Sequence, residues 1–255
     1  MQKSSVFFVS ALLQLTIFSF SQERGDSVSI RHFSGSVSVT HNGISLVPTF
    51  SLGKPAGIIL LSMGNERFSF DPDIRFSLKG KPWSMLFWFR YKLIHTGKFR
   101  VNIGTHPALN FRTMRVSLNG DSAEIIESRR FLAGELFPSY LISENVSIGI
   151  YYLYGRGFEK SVPKNNHFLT LNGNFSYIPV AGKLFMKLNP QFYYLRQDDH
   201  DGFYFTSSMT LAGKNFPLSI SAIINKSIRS DITGSKDFVW NTSLVYSFGK
   251  KYVRQ

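Results

Sequence analysis

The segment near the C-terminus, DFVWNTSLVYSF (237–248), constrains the fold more than any other stretch of the chain. From Phe238 to Phe248 every second residue is Phe, Trp, Thr, Leu, Tyr or Phe, and Val, Asn or Ser stands between them. Strict alternation of this kind predicts a β-strand with one apolar and one polar face. Because the apolar face is made mainly of large aromatic rings, we predict that it contacts lipid and that the strand closes a barrel.

Aromatic content supports a lipid-facing sheet rather than helices. The chain contains 25 Phe and 11 Tyr among 255 residues, yet its mean hydropathy is only −0.04. After the N-terminal region no segment approaches the roughly 18 consecutive apolar residues that a membrane-spanning helix requires. The composition therefore predicts an aromatic belt on strands.

The N-terminus predicts export. Lys3 precedes an apolar stretch from Val6 to Phe18, and Ser19–Ser21 has the small-x-small pattern of a cleavage site, so residues 1–21 are expected to form a cleaved signal peptide. The Gln that would follow the cut, Gln22, resembles exported proteins of Bacteroidota. The chain has no cysteine, which excludes a lipid-modified anchor, a disulfide scaffold and thiolate metal sites.

Strand-length segments alternate with turns over the rest of the chain, and long and short connections also alternate. Long polar segments at 155–166, 196–201 and 226–236 are separated by short turns at 180–182 and 212–215. This rhythm is typical of up-and-down barrels in the outer membrane, which have long outer loops and short periplasmic turns. We predict one domain, an all-β transmembrane antiparallel barrel of twelve strands over residues 44–248, with ten or fourteen as alternatives. Residues 22–43 are predicted as a periplasmic lead-in or an extra hairpin strand, and 249–255 as a basic periplasmic tail.

Charged side chains fall on one face of the predicted strands. In residues 66–78, for example, Phe68, Phe70 and Ile74 alternate with polar and charged residues. A basic residue facing the middle of the bilayer costs roughly 2–4 kcal/mol, so the charged face is expected to line the lumen. The candidate lumen residues are Arg67, Asp71, Asp73, Arg75, Arg90, Lys92, Lys98, Arg100 and Lys187. A soluble periplasmic β-sandwich would show the same alternation with an apolar core, and it is the structural alternative.

The segment NTSLVYSF (241–248) resembles the β-signal that the barrel-assembly machinery reads in outer-membrane barrels. Asn241 occupies its polar position, Ser243 stands where Gly is usual, and Tyr246 and Phe248 occupy the last two positions. The resemblance implies insertion into the outer membrane with that machinery as a partner. It implies no particular transport or catalytic activity.

No catalytic residue, metal ligand or cofactor site is predicted. Outer-membrane phospholipases and lipid A deacylases have a similar architecture, but none of the six histidines lies in the sequence contexts of those enzymes. His95 and His106 are interpreted as histidines at or near turns. The acidic segment QDDHDG (197–202) lacks EF-hand spacing and is interpreted as a solvated outer loop, with a divalent ion that bridges to lipopolysaccharide as the alternative. A lipid-modifying enzyme is kept as an alternative function.

The formal net charge of +13 points to anionic partners. For an exported protein these are the phosphates of lipopolysaccharide, among the lipids of the outer membrane, and anionic solutes; no nucleic-acid motif is present. We therefore expect either a narrow channel with a basic, anion-preferring lumen or a structural envelope protein. Asp71 and Asp73, opposite Arg67 and Arg75, favour a lattice of ion pairs over an open pore.

Overall fold

Twelve antiparallel strands form a closed barrel in the computed structural model, which describes residues 29–118 and 121–254. Each strand pairs with its neighbours in the sequence, and β1 pairs with β12 from Ser29↔Arg254 to Thr40↔Ser243. The strands are β1 Ser29–Thr40, β2 Ala56–Gly64, β3 Phe68–Ser77, β4 Pro82–Thr96, β5 Phe99–Leu118, β6 Asp121–Ser143, β7 Val146–Gly157, β8 Asn165–Ala181, β9 Leu184–Gln197, β10 His200–Gly213, β11 Leu218–Ser230 and β12 Phe238–Arg254. The predicted fold class and strand number are confirmed, and the closed ring excludes the two-layer sandwich.

The exterior of the wall is apolar and the interior is polar. On β12 the outward side chains Phe238, Trp240 and Leu244 are 51%, 53% and 56% exposed, whereas the inward Asn241 is 8% exposed. A soluble protein shows the opposite pattern, with its large apolar side chains buried. An exposed apolar band around a polar interior is the polarity of a transmembrane barrel. The predicted orientation of the aromatic row on β12 is thus confirmed.

The boundaries of the barrel differ from the predicted 44–248 at both ends. The first strand is β1, within residues 22–43, which were predicted as a lead-in or an extra hairpin strand, and the second alternative is the one found. Residues 44–52, which were predicted as the first strand, form no strand and contain a short 3₁₀ helix at Pro48–Phe50. No helix within the described ranges is long and apolar enough to cross a membrane. Residues 249–254 are not a free tail, because they continue β12 and pair with β1. Pairing of these ends removes the unpaired edges that an open sheet would expose. The predicted signal peptide lies outside the described residues.

The β5–β6 hairpin projects beyond the wall. The pairing of β5 with β4 ends at Asn110, and the pairing of β6 with β7 begins at Phe131. From Phe111↔Ser128 to Leu118↔Asp121 the two strands pair only with each other. At about 3.4 Å per residue, eight such pairs make a ribbon of roughly 25 Å. The ribbon explains why these two strands are as long as the sequence predicted.

Candidate functional site

The two ends of the barrel differ in the length of their connections. One end has tight turns, such as those around Gly97 and Gly182, which have φ values of 54°. The other end has the β5–β6 ribbon and the segments 41–55, 158–164 and 231–237. Bacterial barrels have short periplasmic turns and longer outer loops. We therefore call the second end the outer mouth.

The nine predicted lumen residues occupy two separate regions. Asp71, Asp73, Arg75 and Arg90 lie inside the barrel and form ion pairs. The other five are exposed at the end opposite the outer mouth, and they are Arg67, Lys92, Lys98, Arg100 and Lys187. Arg67 and Lys92 adjoin there, since the backbone N–H of Lys92 donates to the carbonyl of Arg67 at 2.9 Å. Of the lattice that the sequence favoured, the Asp73–Arg75 pair is present, whereas Asp71 pairs with Arg90 and not with Arg67.

Arg90 is the centre of the interior network. Its Nε donates to Oε1 of Glu135 at 2.7 Å, and a terminal nitrogen donates to Oδ2 of Asp71 at 3.0 Å. The hydroxyl of Tyr151 donates to the other oxygen of Glu135 at 2.8 Å, and Ser62 donates to Asp71 at 2.6 Å. Each carboxylate therefore receives at least two hydrogen bonds, as buried charges require. The two carboxylates offset the positive charge of the Arg90 guanidinium, so this group is not free to attract an anion.

Gly104 makes the network possible. On β5 it lies between Arg90 of β4 and Glu135 of β6, so the two charged side chains meet above a residue with no side chain. A Cβ atom at this position would lie 2.7 Å from Oε1 of Glu135 and 3.1 Å from Cγ of Arg90. Gly104 is required by this close approach and not by its backbone conformation.

Gly104→Ala is expected to lower the free energy of unfolding by about 1–3 kcal/mol, because the new methyl group separates a buried ion pair. Gly134→Ala is the matched control on the adjacent strand, since a Cβ there meets no atom closer than 3.8 Å. Urea unfolding of the refolded protein in detergent would measure both variants. Equal stability of the two would contradict the role assigned to Gly104.

A second ion pair lies nearer the outer mouth. The Nε of Arg75 donates to Oδ1 of Asp73 at 2.8 Å, and the guanidinium lies 5.2 Å from the ring centroid of Trp83. Trp83 is 2% exposed, and its indole N–H donates to the carbonyl of Phe50 at 2.7 Å. The Arg75–Asp73 pair therefore lies against Trp83, and Trp83 in turn holds the segment between β1 and β2 through its hydrogen bond to Phe50.

Sequence reasoning missed several interior residues. Glu135 and Tyr151 were not among the candidates, although Glu135 lies on the face of β6 opposite to Leu132 and Leu136 and could have been found by that alternation. His106 was interpreted as a residue near a turn. It lies instead within β5, is 5% exposed, and its ring is 3.9 Å from that of Trp88. The prediction failed because Pro107 suggested a break, whereas β5 continues through it.

Residues 41–55, which we call the inward loop, fold into the outer mouth. The hydroxyl of Tyr193 donates to the carbonyl of Leu46 at 3.0 Å, and the Gln197 amide donates to Thr49 at 3.3 Å. The Phe50 ring packs against Phe131 with centroids 4.9 Å apart. The loop is thus held to β9 on one side and to β6 on another, so it crosses the bore.

Apolar clusters fill the space beneath the outer loops. Leu46 and Val47 of the inward loop pack against a buried cluster that contains Tyr193, Leu195 and Tyr204. Ile232, from segment 231–237, belongs to the same cluster. Val162, from segment 158–164, belongs to a second buried cluster, against which Phe50 packs. Water has little room in such a cluster, because protein interiors pack densely. The bore is therefore narrowed by its own loops on the outer side.

Above the inward loop the barrel opens into an outer vestibule, a cavity of about 1320 Å³. Its lining includes seven basic residues, which are Lys54, Lys79, Lys81, Arg112, Arg115, Arg129 and Lys160. It includes three carboxylates, those of Glu124, Asp198 and Asp199. The hydrogen bond that the Lys81 ammonium donates to Glu124 lowers the pKa of this carboxyl. The vestibule therefore has an excess of positive charge, which sequence reasoning had placed deeper in the lumen.

The acidic segment at 197–202 has a structural role at this mouth. The carboxylate of Asp198 accepts hydrogen bonds from the backbone N–H groups of Lys164 and Asn165, at 2.9 and 2.8 Å. Asp198 has a φ of 51°, a conformation that Asp adopts more readily than most residues. The segment therefore anchors the end of the 158–164 loop to the turn between β9 and β10.

The four residues of the predicted assembly signal all lie in β12. Asn241 and Ser243 face the interior, and the side-chain oxygen of Asn241 accepts a hydrogen bond from Thr40 across the β1–β12 seam. Tyr246 is 48% exposed on the exterior, and the Phe248 ring lies 6.0 Å from Phe33 of β1. These side chains therefore contribute to the closure of the barrel, and their recognition by an assembly partner stays a prediction.

The sequence matches no protein-family model and no curated protein. Among solved structures the chain is similar to a KdgM porin, with a TM-score of 0.48 and 12% identity over 84% of this chain and 99% of that one. It is also similar to the COG4313 outer membrane channel from Pseudomonas putida F1, with a TM-score of 0.47 and 10% identity over 87% and 95% of the two chains. OmpT, an outer membrane protein of Vibrio cholerae, gives a TM-score of 0.43 and 8% identity over 86% and 97%.

Proposed function

We propose that the protein is an outer-membrane channel of narrow bore that admits small anionic solutes through its outer vestibule. The observation that supports this most is the lining of the vestibule, where seven basic residues face three carboxylates. A cavity lined by one sign of charge and walled by protein raises the local concentration of ions of the opposite sign. The apolar exterior of the closed barrel supports a place in a membrane, and the predicted signal peptide supports export.

Charge selection is assigned to the vestibule and not to the middle of the lumen. Arg75 and Arg90 are paired with Asp73, Asp71 and Glu135, so these two arginines are outnumbered by carboxylates and supply no excess positive charge to the mid-lumen. In the vestibule Lys54, Lys79 and Arg112 are exposed. Selectivity in channels arises from such charged linings close to the path of the ion.

The test is a planar-bilayer recording of the reversal potential under a potassium chloride gradient. The wild type is expected to reverse on the chloride side. Lys79→Gln with Arg112→Gln, which removes two vestibule charges, is expected to reduce the chloride-to-potassium permeability ratio by roughly twofold.

Arg156→Gln with Arg196→Gln is the matched control, because Arg156 of β7 and Arg196 of β9 are exposed on the outward face of the wall. The double substitution removes the same charge from outside the bore. Its permeability ratio is expected to equal that of the wild type. Cation preference in the wild type, or absence of any conductance after the inward loop is removed, would overturn the proposed function.

A further inference from the structure

A row of basic side chains lies on the outward face of the wall, at the height of the outer mouth. Arg156 of β7, Arg196 of β9 and Arg229 of β11 are exposed. Their orientation follows from the strand pairing. Tyr154 of β7, His167 of β8 and Arg196 of β9 lie side by side on one face, and Arg156 lies two residues from Tyr154 on that face. Arg229 is paired with Phe203 of β10. Phe203, at 48% exposure, belongs to the apolar exterior. These cations therefore point away from the bore.

Their charges are not neutralised by ion pairs within residues 29–118 and 121–254. Arg156 contacts the amide oxygen of Asn165 at 3.5 Å, and Nε of Arg196 donates to the carbonyl of Asp198 at 2.9 Å. The acid beside Arg196 in this row, Asp201, accepts a hydrogen bond from the Tyr194 hydroxyl at 3.1 Å. Most donors of the two guanidinium groups thus stay available to a ligand.

Aromatic side chains fix the depth of the row in the membrane. Tyr152, Tyr154 and Tyr194 lie next to it on the same outward face, and the Tyr152 hydroxyl contacts Nδ1 of His167 at 2.8 Å. Amphipathic rings of this kind form girdles at the membrane interface, flanking the apolar band of a barrel. The basic row then lies at the level of the lipid head groups and not in the hydrocarbon.

We propose that Arg156 and Arg196, with His167 between them, bind the phosphate groups of an anionic glycolipid head group in the outer leaflet. Guanidinium groups bind phosphate by paired charge-assisted hydrogen bonds, which makes Arg well suited to this ligand. One strand separates β7 from β9, and Arg156 lies two residues beyond the position in line with Arg196, so the two arginines start roughly 12 Å apart on the sheet. This spacing fits a head group with two phosphates better than a single inorganic phosphate. The site lies outside the bore and does not depend on the proposed channel function.

The experiment measures binding of diphosphoryl lipid A to the purified full-length protein by native mass spectrometry from detergent, with dephosphorylated lipid A as the comparison. The wild type is expected to bind the phosphorylated lipid about tenfold more tightly. Arg156→Gln with Arg196→Gln is expected to remove this preference, whereas Lys79→Gln with Arg112→Gln, which changes only the vestibule, is expected to keep it. Heat-modifiable gel mobility would establish that each variant forms a barrel.

Three results would overturn the proposal: equal binding of the two lipids by the wild type, unchanged binding by the Arg156/Arg196 variant, or displacement of the lipid by excess inorganic phosphate. The first comparison uses the wild type alone, so it decides the matter even if a variant fails to fold. The last result would identify a site for a free anion. A lack of anion preference in the bilayer recordings would contradict the role proposed for the vestibule, but it would not affect the proposed lipid site.

Discussion

Replacing residues 44–52 of the inward loop with a short Gly-Ser linker is expected to raise single-channel conductance by roughly an order of magnitude. The loop places Leu46, Val47 and Phe50 in the outer mouth, where they pack on inward-facing side chains of the wall. A twelve-stranded barrel is wider than the eight-stranded forms that side chains fill and narrower than open porins. Its conductance therefore depends strongly on whether a loop occupies the bore.

The chain permits this replacement because the base of the loop is already closed. The backbone N–H of Gly43 donates to the carbonyl of Lys54 at 2.8 Å, and Gly53 has a φ of 67°, which a Gly tolerates. A short linker can therefore connect the two ends without moving β1 or β2. The variant loses apolar contacts, and a lower unfolding temperature is expected to accompany the higher conductance.

Shortening the β5–β6 ribbon by residues 113–126 is the control. This ribbon projects beyond the wall, so its removal is expected to leave the conductance close to that of the wild type. If replacement of the inward loop changed conductance no more than shortening the ribbon, the inward loop would not be what narrows the bore.

Leu244→Arg is expected to lower the free energy of unfolding in lipid vesicles by about 2–4 kcal/mol. Leu244 lies near the middle of the length of β12, faces outward and is 56% exposed. In water an exposed leucine can usually be replaced by arginine with an effect within about 0.5 kcal/mol. In hydrocarbon the guanidinium loses its hydration, and this loss is the source of the large expected effect.

Ile126→Arg is the matched comparison. Ile126 is 45% exposed, a similar fraction, but it lies on the ribbon beyond the wall. Its replacement is expected to change stability by no more than about 0.5 kcal/mol. Urea unfolding in phosphatidylcholine vesicles, followed by tryptophan fluorescence, would measure both. Equal effects of the two substitutions would mean that Leu244 does not contact lipid.

The faces of the strands could be predicted from the sequence because a strand alternates with a period of two. On β3 the alternation correctly separated Phe68, Phe70 and Ile74 from Asp71 and Asp73, and Asp73 is buried in the interior. Each of these assignments needs only the neighbouring residues of one strand. The fold class followed from the same local information, whereas the count of twelve included residues 44–52, which form no strand, in place of β1.

The first strand was misplaced because an amphipathic loop resembles a strand locally. Residues 44–52 contain Ile44, Leu46 and Phe50 at even spacing, but these side chains are half-buried inside the barrel and not on its exterior. The contacts that hold them, from Trp83 and Tyr193, come from β4 and β9. The alternation of apolar and polar residues within one segment gives no information about contacts with residues so distant in the sequence.

The interior site depended on register between strands, which the local pattern does not specify. Arg90 meets Glu135 because Gly104 stands between them in two adjacent pairings. A shift of one residue in either pairing would turn one of the two charged residues to the other face. For the same reason the basic residues that line the vestibule, such as Lys79 and Arg112, could not be grouped before the loops were placed.

Accessibility of single cysteines on β12 tests most directly whether the aromatic rows meet lipid and the polar rows meet water. The natural chain has no cysteine, so each introduced thiol reports on one position. In vesicles, Leu244→Cys and Tyr246→Cys are expected to react with a lipid-soluble maleimide and to resist a charged one. Ser243→Cys and Ser247→Cys, on the inward face, are expected to react with the charged reagent. The reverse pattern, or equal reaction of all four thiols with the charged reagent, would contradict a barrel that spans a membrane.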